Sequence, residues 1–116
     1  MAITSEIIGT LGGADVEVMP VEGEASGRSG SSEVIATIDV PAGETWLVAV
    51  IGQVSTGGSI STQWPDFHLG DVQTSRAPSG AHGLATTATE TISFSIKRNY
   101  SGRADTFTGH VYTVKM

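Results

Sequence analysis

The chain has 116 residues, no cysteine and a formal charge of −6, and its only lysines are Lys97 and Lys115. It is read as one domain, 1–116, whose core buries roughly two-thirds of the unfolded surface. Disulfides and thiolate metal sites are excluded. So is nucleic acid as a partner, because phosphate binding needs a cationic face to displace counterions. No apolar run approaches the ~20 residues that cross a bilayer. The opening MAITSEIIGT lacks the basic start and long apolar stretch of an export signal. A soluble protein with no membrane partner is therefore expected. Acidic surfaces poor in lysine also suit a high-salt cytoplasm, where self-repulsion is screened.

Periodicity predicts strands almost throughout, with Thr, Ser, Val, Ile and Gly dominant and no apolar pattern at helical spacing. Ile3–Ile8 is a weak strand, followed by a Gly-rich bend over 9–13. Residues 1–12 form a candidate assembly arm, with Ile7, Ile8 and Leu11 as apolar contacts that would add a strand to a neighbouring subunit. Asp15–Met19 alternates and is expected to end before Pro20. A flexible Ser/Gly loop is expected over 23–32.

Glu33–Val40 is the clearest early strand, with Val34, Ala36, Ile38 and Val40 on one face. A Pro41-Ala42-Gly43 turn follows, Pro41 fixing its φ and Gly43 supplying a positive one. Thr45–Val54 is apolar on both faces, as a central, covered strand would be, and Gly52 is a candidate bulge. Trp46 is expected to carry the most core energy. A polar loop leads to Trp64, which either packs within that loop or is an interface or ligand contact, because exposed aromatics often anchor complexes.

Phe67–Gln73 is read as a short strand and 74–83 as a Gly/Pro/Ser loop. Glu90–Tyr100 alternates strongly, with Ile92, Phe94, Ile96 and Tyr100 on one face. An Asn99–Gly102 hairpin connection then leads to Asp105–Lys115, which has Phe107 and Val111 on one side. About eight strands separated by turn signals predict an all-β fold, an antiparallel β-sandwich of jelly-roll type.

Catalytic chemistry finds little footing. His68, His82 and His110, even with Asp66 and Asp71, show no metal-ligand spacing. No serine lies in a Gly-x-Ser-x-Gly elbow. The carboxylate pairs Asp66/Asp71 and Glu90/Asp105 are read as surface charge rather than a glycosidase pair. No helix start follows the glycine-rich loops, so they are not phosphate cradles. The Asn99-Tyr100-Ser101 sequon is read as turn chemistry. No catalytic, cofactor or metal residue is assigned, and the chain is read as no enzyme.

The segment Ile38-Asp39-Val40-Pro41-Ala42-Gly43-Glu44-Thr45-Trp46-Leu47-Val48 resembles a recurrent pattern in small structural proteins of tailed viruses. In those proteins a strand ending in Val-Pro-Ala-Gly precedes a Thr/aromatic strand and a polar Gly/Ser-rich loop. Ile92-Ser93-Phe94-Ser95-Ile96 and Gly109-His110-Val111-Tyr112-Thr113-Val114 are similar to the long hairpin on which such chains end. The resemblance covers about 38–58 and, more loosely, 88–116. It implies a virion component without catalytic residues: a head decoration, turret, connector or tail protein assembled in the host cytoplasm. Its partners would be itself, as a trimer, pentamer or hexamer, and other virion proteins. With the acidic composition it looks like a protein of a tailed virus of haloarchaea. The competing expectation is a carbohydrate- or ligand-binding β-sandwich with Trp64, His68 and Tyr100 as an aromatic platform.

Overall fold

A computed structural model describes residues 16–58 and 61–116. Among these residues eight strands form: β1 (Val16–Ala25), β2 (Ser32–Ile38), β3 (Trp46–Ser55), β4 (Asp66–Leu69), β5 (Val72–Gln73), β6 (Gly80–Ala88), β7 (Ile92–Lys97) and β8 (Asp105–Lys115). The first sheet runs β1-β8-β3-β6 and the second β2-β7-β4-β5, with every pairing antiparallel. Four pairs are nested: β1 with β8, β2 with β7, β3 with β6 and β4 with β5. A long hairpin folded across two sheets gives this order, which is that of a jelly roll. The antiparallel β-sandwich expected from the sequence is the fold.

Only the innermost pair closes tightly. Leu69 pairs with Val72 across Gly70-Asp71, and Gly70 has φ +57° while Asp71 does not have a positive φ. A type II′ hairpin requires glycine at that first central position. The single strand expected over Phe67–Gln73 is therefore a hairpin of two.

Several boundaries differ from expectation. β1 runs through Pro20 to Ala25, which shortens the expected 23–32 loop to residues 26–31. β1 pairs only with β8, and an edge strand tolerates a residue that lacks its N–H. β6 begins at Gly80, inside the expected 74–83 loop. The expected strand Ile3–Ile8 lies outside the described residues, as do Ile7, Ile8 and Leu11.

In β2 a bulge falls between Val34 and Ala36. It breaks the expected alternation: Val34 is exposed, while Ile35 packs against the core. Ile35 lies over Gly23 of β1, where a Cβ would stand 3.0 Å from its Cδ1. Two turns carry the chain between the sheets, the second of them expected as a hairpin connection. The Pro-Ala-Gly turn joins β2 of the second sheet to β3 of the first, closed by Glu44 N–H donating to Pro41 O at 3.1 Å with Gly43 at φ +84°. The 98–104 connection likewise links β7 to β8 across the sandwich, so there is no terminal hairpin.

The core forms where inward faces meet. Val48, Val50, Val54, Phe107 and Val111 come from the first sheet, and Ile38, Phe67, Leu69, Phe94 and Ile96 from the second. Its centre is a trio of phenylalanines. Phe94 lies 4.8 Å from Phe107 and 5.9 Å from Phe67 between ring centroids, and Phe67 lies 6.0 Å from Phe107. These spacings suit offset and tilted aromatic packing. Trp46 is not the core's centre. It is half-buried at the start of β3, and its indole N–H donates to Glu44 Oε1 at 3.0 Å. Gly52 is no bulge, since β3 keeps continuous register with both neighbours through it.

Candidate functional site: the uncharged sheet face and its surroundings

Cross-strand partners share a face of a sheet, so the register defines the outer face of the first sheet row by row. One row is Val16, Val114, Leu47 and Thr87. The next is Val18, Tyr112, Ala49 and Ala85, and the third is Pro20, His110, Ile51 and Gly83. No Asp, Glu, Lys or Arg occurs in these three rows. Charge returns only in the fourth, at Glu22, beside Thr108, Gln53 and Ala81. This is the second apolar face of β3 that the sequence showed. Val18 is 50 % exposed, Leu47 and Ile51 are half-buried, and Ala49 and Val114 are buried. No other described strand packs over the face. The His110 and Tyr112 rings stand 6.2 Å apart upon it.

At one end of the sandwich lies a polar cluster that the sequence reading missed. Arg98 and Asp105 both have 0 % exposure, and Arg98 Nη1 donates to Asp105 Oδ2 at 3.0 Å. Nη1 also faces Ala25 O at 2.6 Å and Arg103 O at 2.9 Å, and Nη2 donates to Gly102 O at 3.2 Å. Tyr100 donates its hydroxyl proton to Asp105 Oδ1, and its ring lies 4.5 Å from the Arg98 guanidinium. Gly57 N–H donates to the same Asp105 oxygen at 3.3 Å. Burial, then the hydrogen bond to Asp105 and its charge, push the Tyr100 phenol above its ordinary range, against a smaller pull from Arg98. Among the buried side-chain polar atoms of the described residues, only Arg98 Nε has no partner. Sealed from solvent, the cluster ties the end of β1, the 56–58 loop and the β7–β8 crossover together, and no substrate reaches it. Parity was the available signal: Arg98 continues the inward series 92, 94, 96, and Asp105 heads the inward series of β8.

The expected site residues do not converge. Tyr100 is buried, which removes it from any aromatic platform with Trp64 and His68. Trp64 is half-buried beside the buried Pro65, and its carbonyl accepts a 2.7 Å hydrogen bond from Asn99 Nδ2. Asn99 thus braces the Trp64 loop. The Asp66 carboxylate accepts from the Arg76 N–H at 2.8 Å, while Asp71 occupies the β4–β5 turn. Glu90 lies in the exposed β6–β7 connection, whereas Asp105 is sealed in its ion pair, so these two form no carboxylate pair. His82 Nε2 lies 2.7 Å from Pro78 O. Among the described residues, no group of three or more His, Asp or Glu could hold a metal ion.

No family model matches this chain, and neither a curated protein nor a solved structure matches it significantly.

Proposed function

We propose that this protein is a non-enzymatic structural subunit that acts by symmetric self-assembly, with the outer face of its first sheet receiving a neighbouring copy. The observation that carries this is the absence of formal charge from three successive rows of that face in a chain of net charge −6. Copies of an acidic protein repel one another least where neither presents a carboxylate. The occupant we assign is the neighbour's N-terminal segment, whose Ile3, Ile7, Ile8 and Leu11 supply apolar side chains. That segment precedes β1, the edge strand of the same sheet. Twelve extended residues reach ~40 Å, well beyond the ~15 Å across four strands, so exchange between neighbours in a closed ring is within range.

The resemblance of 38–58 and 88–116 to structural proteins of tailed viruses supports a virion as the assembly, with head decoration, turret, connector and tail as its candidate positions. Acidity with few lysines supports a haloarchaeal host.

The test is native mass by light scattering after size exclusion, at low and at molar salt. A discrete trimer, pentamer or hexamer is expected. Either deletion of residues 1–12 or Val18→Glu should reduce it toward monomer. A wild-type monomer under both conditions would overturn self-assembly. An oligomer unchanged by both variants would move the interface elsewhere.

A further inference from the structure

Over the outer surface of the second sheet, an open groove of about 490 Å³ lies between that surface and the end of β6 with the β6–β7 connection. That volume is within the range of ligand sites, ~300–1,000 Å³. Its floor carries His68 of β4 and Ser93 and Ser95 of β7, and its wall is the stretch 86–91. His68 and Ser95 are cross-strand partners, and Ser93 and Ser95 stand on the face opposite the buried Phe94 and Ile96. The wall reads Thr-Thr-Ala-Thr-Glu-Thr, so hydroxyl side chains line both sides.

Two features separate this groove from ordinary polar surface. His68, Ser93 and Ser95 are half-buried, yet their side chains have no hydrogen-bond partner among the described residues; nor do Thr89, Glu90 and Asp71 at the rim. Polar groups drawn partly out of water usually find partners in the protein. Here three of them, His68, Ser93 and Ser95, line one concavity, with the exposed Asp71, Thr89 and Glu90 around it. Second, neither lysine nor arginine lines it.

We infer that this groove binds a neutral saccharide. Serine and threonine hydroxyls both donate and accept, and carboxylates accept only. Together they match a ligand whose every ring position carries a hydroxyl that does both. The half-buried Ile92 offers an apolar contact for ring C–H groups. A phosphate, sulfate or uronate would meet Asp71 and Glu90 with no lysine or arginine to offset them. The inference does not rest on self-assembly through the first sheet, although Thr87 belongs to both surfaces.

The experiment is a ¹H–¹⁵N titration of the intact chain with glucose, galactose, mannose, N-acetylglucosamine and lactose. Glucuronate serves as the anionic control and calcium chloride alone as the cation control. At least one neutral sugar should give saturable shifts confined to the amides of 86–95, and glucuronate should give weaker ones. Affinity should fall about tenfold in the Ser93→Val/Ser95→Val double variant, the loss of roughly two hydrogen bonds. Should that variant not fold, Thr89→Ala/Glu90→Gln in the exposed connection should give a similar loss. Silence from all five neutral sugars overturns the inference. So does binding undiminished in a folded variant, or the same shifts produced by calcium chloride alone.

Discussion

Arg98 and Asp105 bring a full charge pair into a place closed to bulk solvent, and their value to the fold lies in not being separated. Asp105→Ala would leave a guanidinium of 0 % exposure without its counter-charge. Losing one partner of a buried pair typically costs ~3–5 kcal/mol, a large share of the ~5–15 kcal/mol that holds a domain together. Urea unfolding of Asp105→Ala should show that loss, whereas Glu44→Ala, at the exposed pair with Lys115, should cost far less. Tyr100 adds a pH dependence of definite sign. Its phenol is raised in the folded state, so the folded state favours the protonated hydroxyl. The associated stability is complete below the unfolded value of about 10 and is lost as pH rises through the folded value. Wild type should therefore weaken above pH ~10 in alkaline urea titrations, and Tyr100→Phe should weaken less steeply over the same range. Parallel alkaline limbs would show that Tyr100 is not the titrating group. Both charged residues were open to inference, because each occupies an inward position of an otherwise apolar alternation. They escaped because an alternation is scored by its apolar members, and a charge reads as surface until its partner is found seven residues away.

Among the strands, legibility tracked side-chain contrast. β3, β7 and β8 alternate or concentrate large apolar residues and were placed from the sequence, as was the two-faced character of β3. β6, Gly-Ala-His-Gly-Leu-Ala-Thr-Thr-Ala, has one large aliphatic residue and otherwise small or weakly polar ones. Its inward positions, among them Leu84, Thr86 and Ala88, differ too little from its outward ones to mark a strand. The bulge at Ile35 was invisible for another reason: one inserted residue reverses the faces on either side of it, and only the register with β7 reveals the insertion. Gly52 shows how strand packing uses the absence of a side chain. It pairs directly with Gly109 of β8, and a Cβ on Gly52 would lie 2.7 Å from Phe107 Cζ and 2.7 Å from the Gly109 Cα. The glycine pair makes room on the inner face for the Phe107 ring and the aromatic trio. Gly52→Ala should destabilise the protein by ~1–3 kcal/mol through overpacking, measurable by thermal or urea unfolding. Gly30→Ala, where a Cβ meets nothing within 4 Å, tests backbone strain at φ +91° without any clash.

At the scale of the molecule, the sequence carried the fold class but not the site. Strand identity is local, whereas the groove proposed to bind a saccharide is assembled from β4, β6 and β7, whose neighbours are fixed only by the jelly-roll order. The uncharged face also needed the register of four strands before its rows appeared. Charge itself makes a prediction at this scale. If the acidity is an adaptation to molar salt, thermal unfolding in molar potassium chloride should come at a markedly higher temperature than in low salt, because screening removes self-repulsion. Equal midpoints would make it ordinary surface charge.

The nested pairing also gives folding an order in time. Gly70-Asp71 closes β4 on β5 with a two-residue turn, while Val16 finds Val114 only after almost the whole chain has been gathered in. Each wider pair encloses a longer loop, and every doubling of loop length costs ~0.6 kcal/mol more in closure entropy. The inner pairs shorten the loops that remain for the outer ones. The route of least entropic cost therefore starts at the hairpin in the middle of the sequence and ends at its two ends. β1, last to dock and held along one edge only, is then the first strand free to leave. A chain built this way keeps the strand beside its N-terminal segment exchangeable after the rest of the sandwich has set.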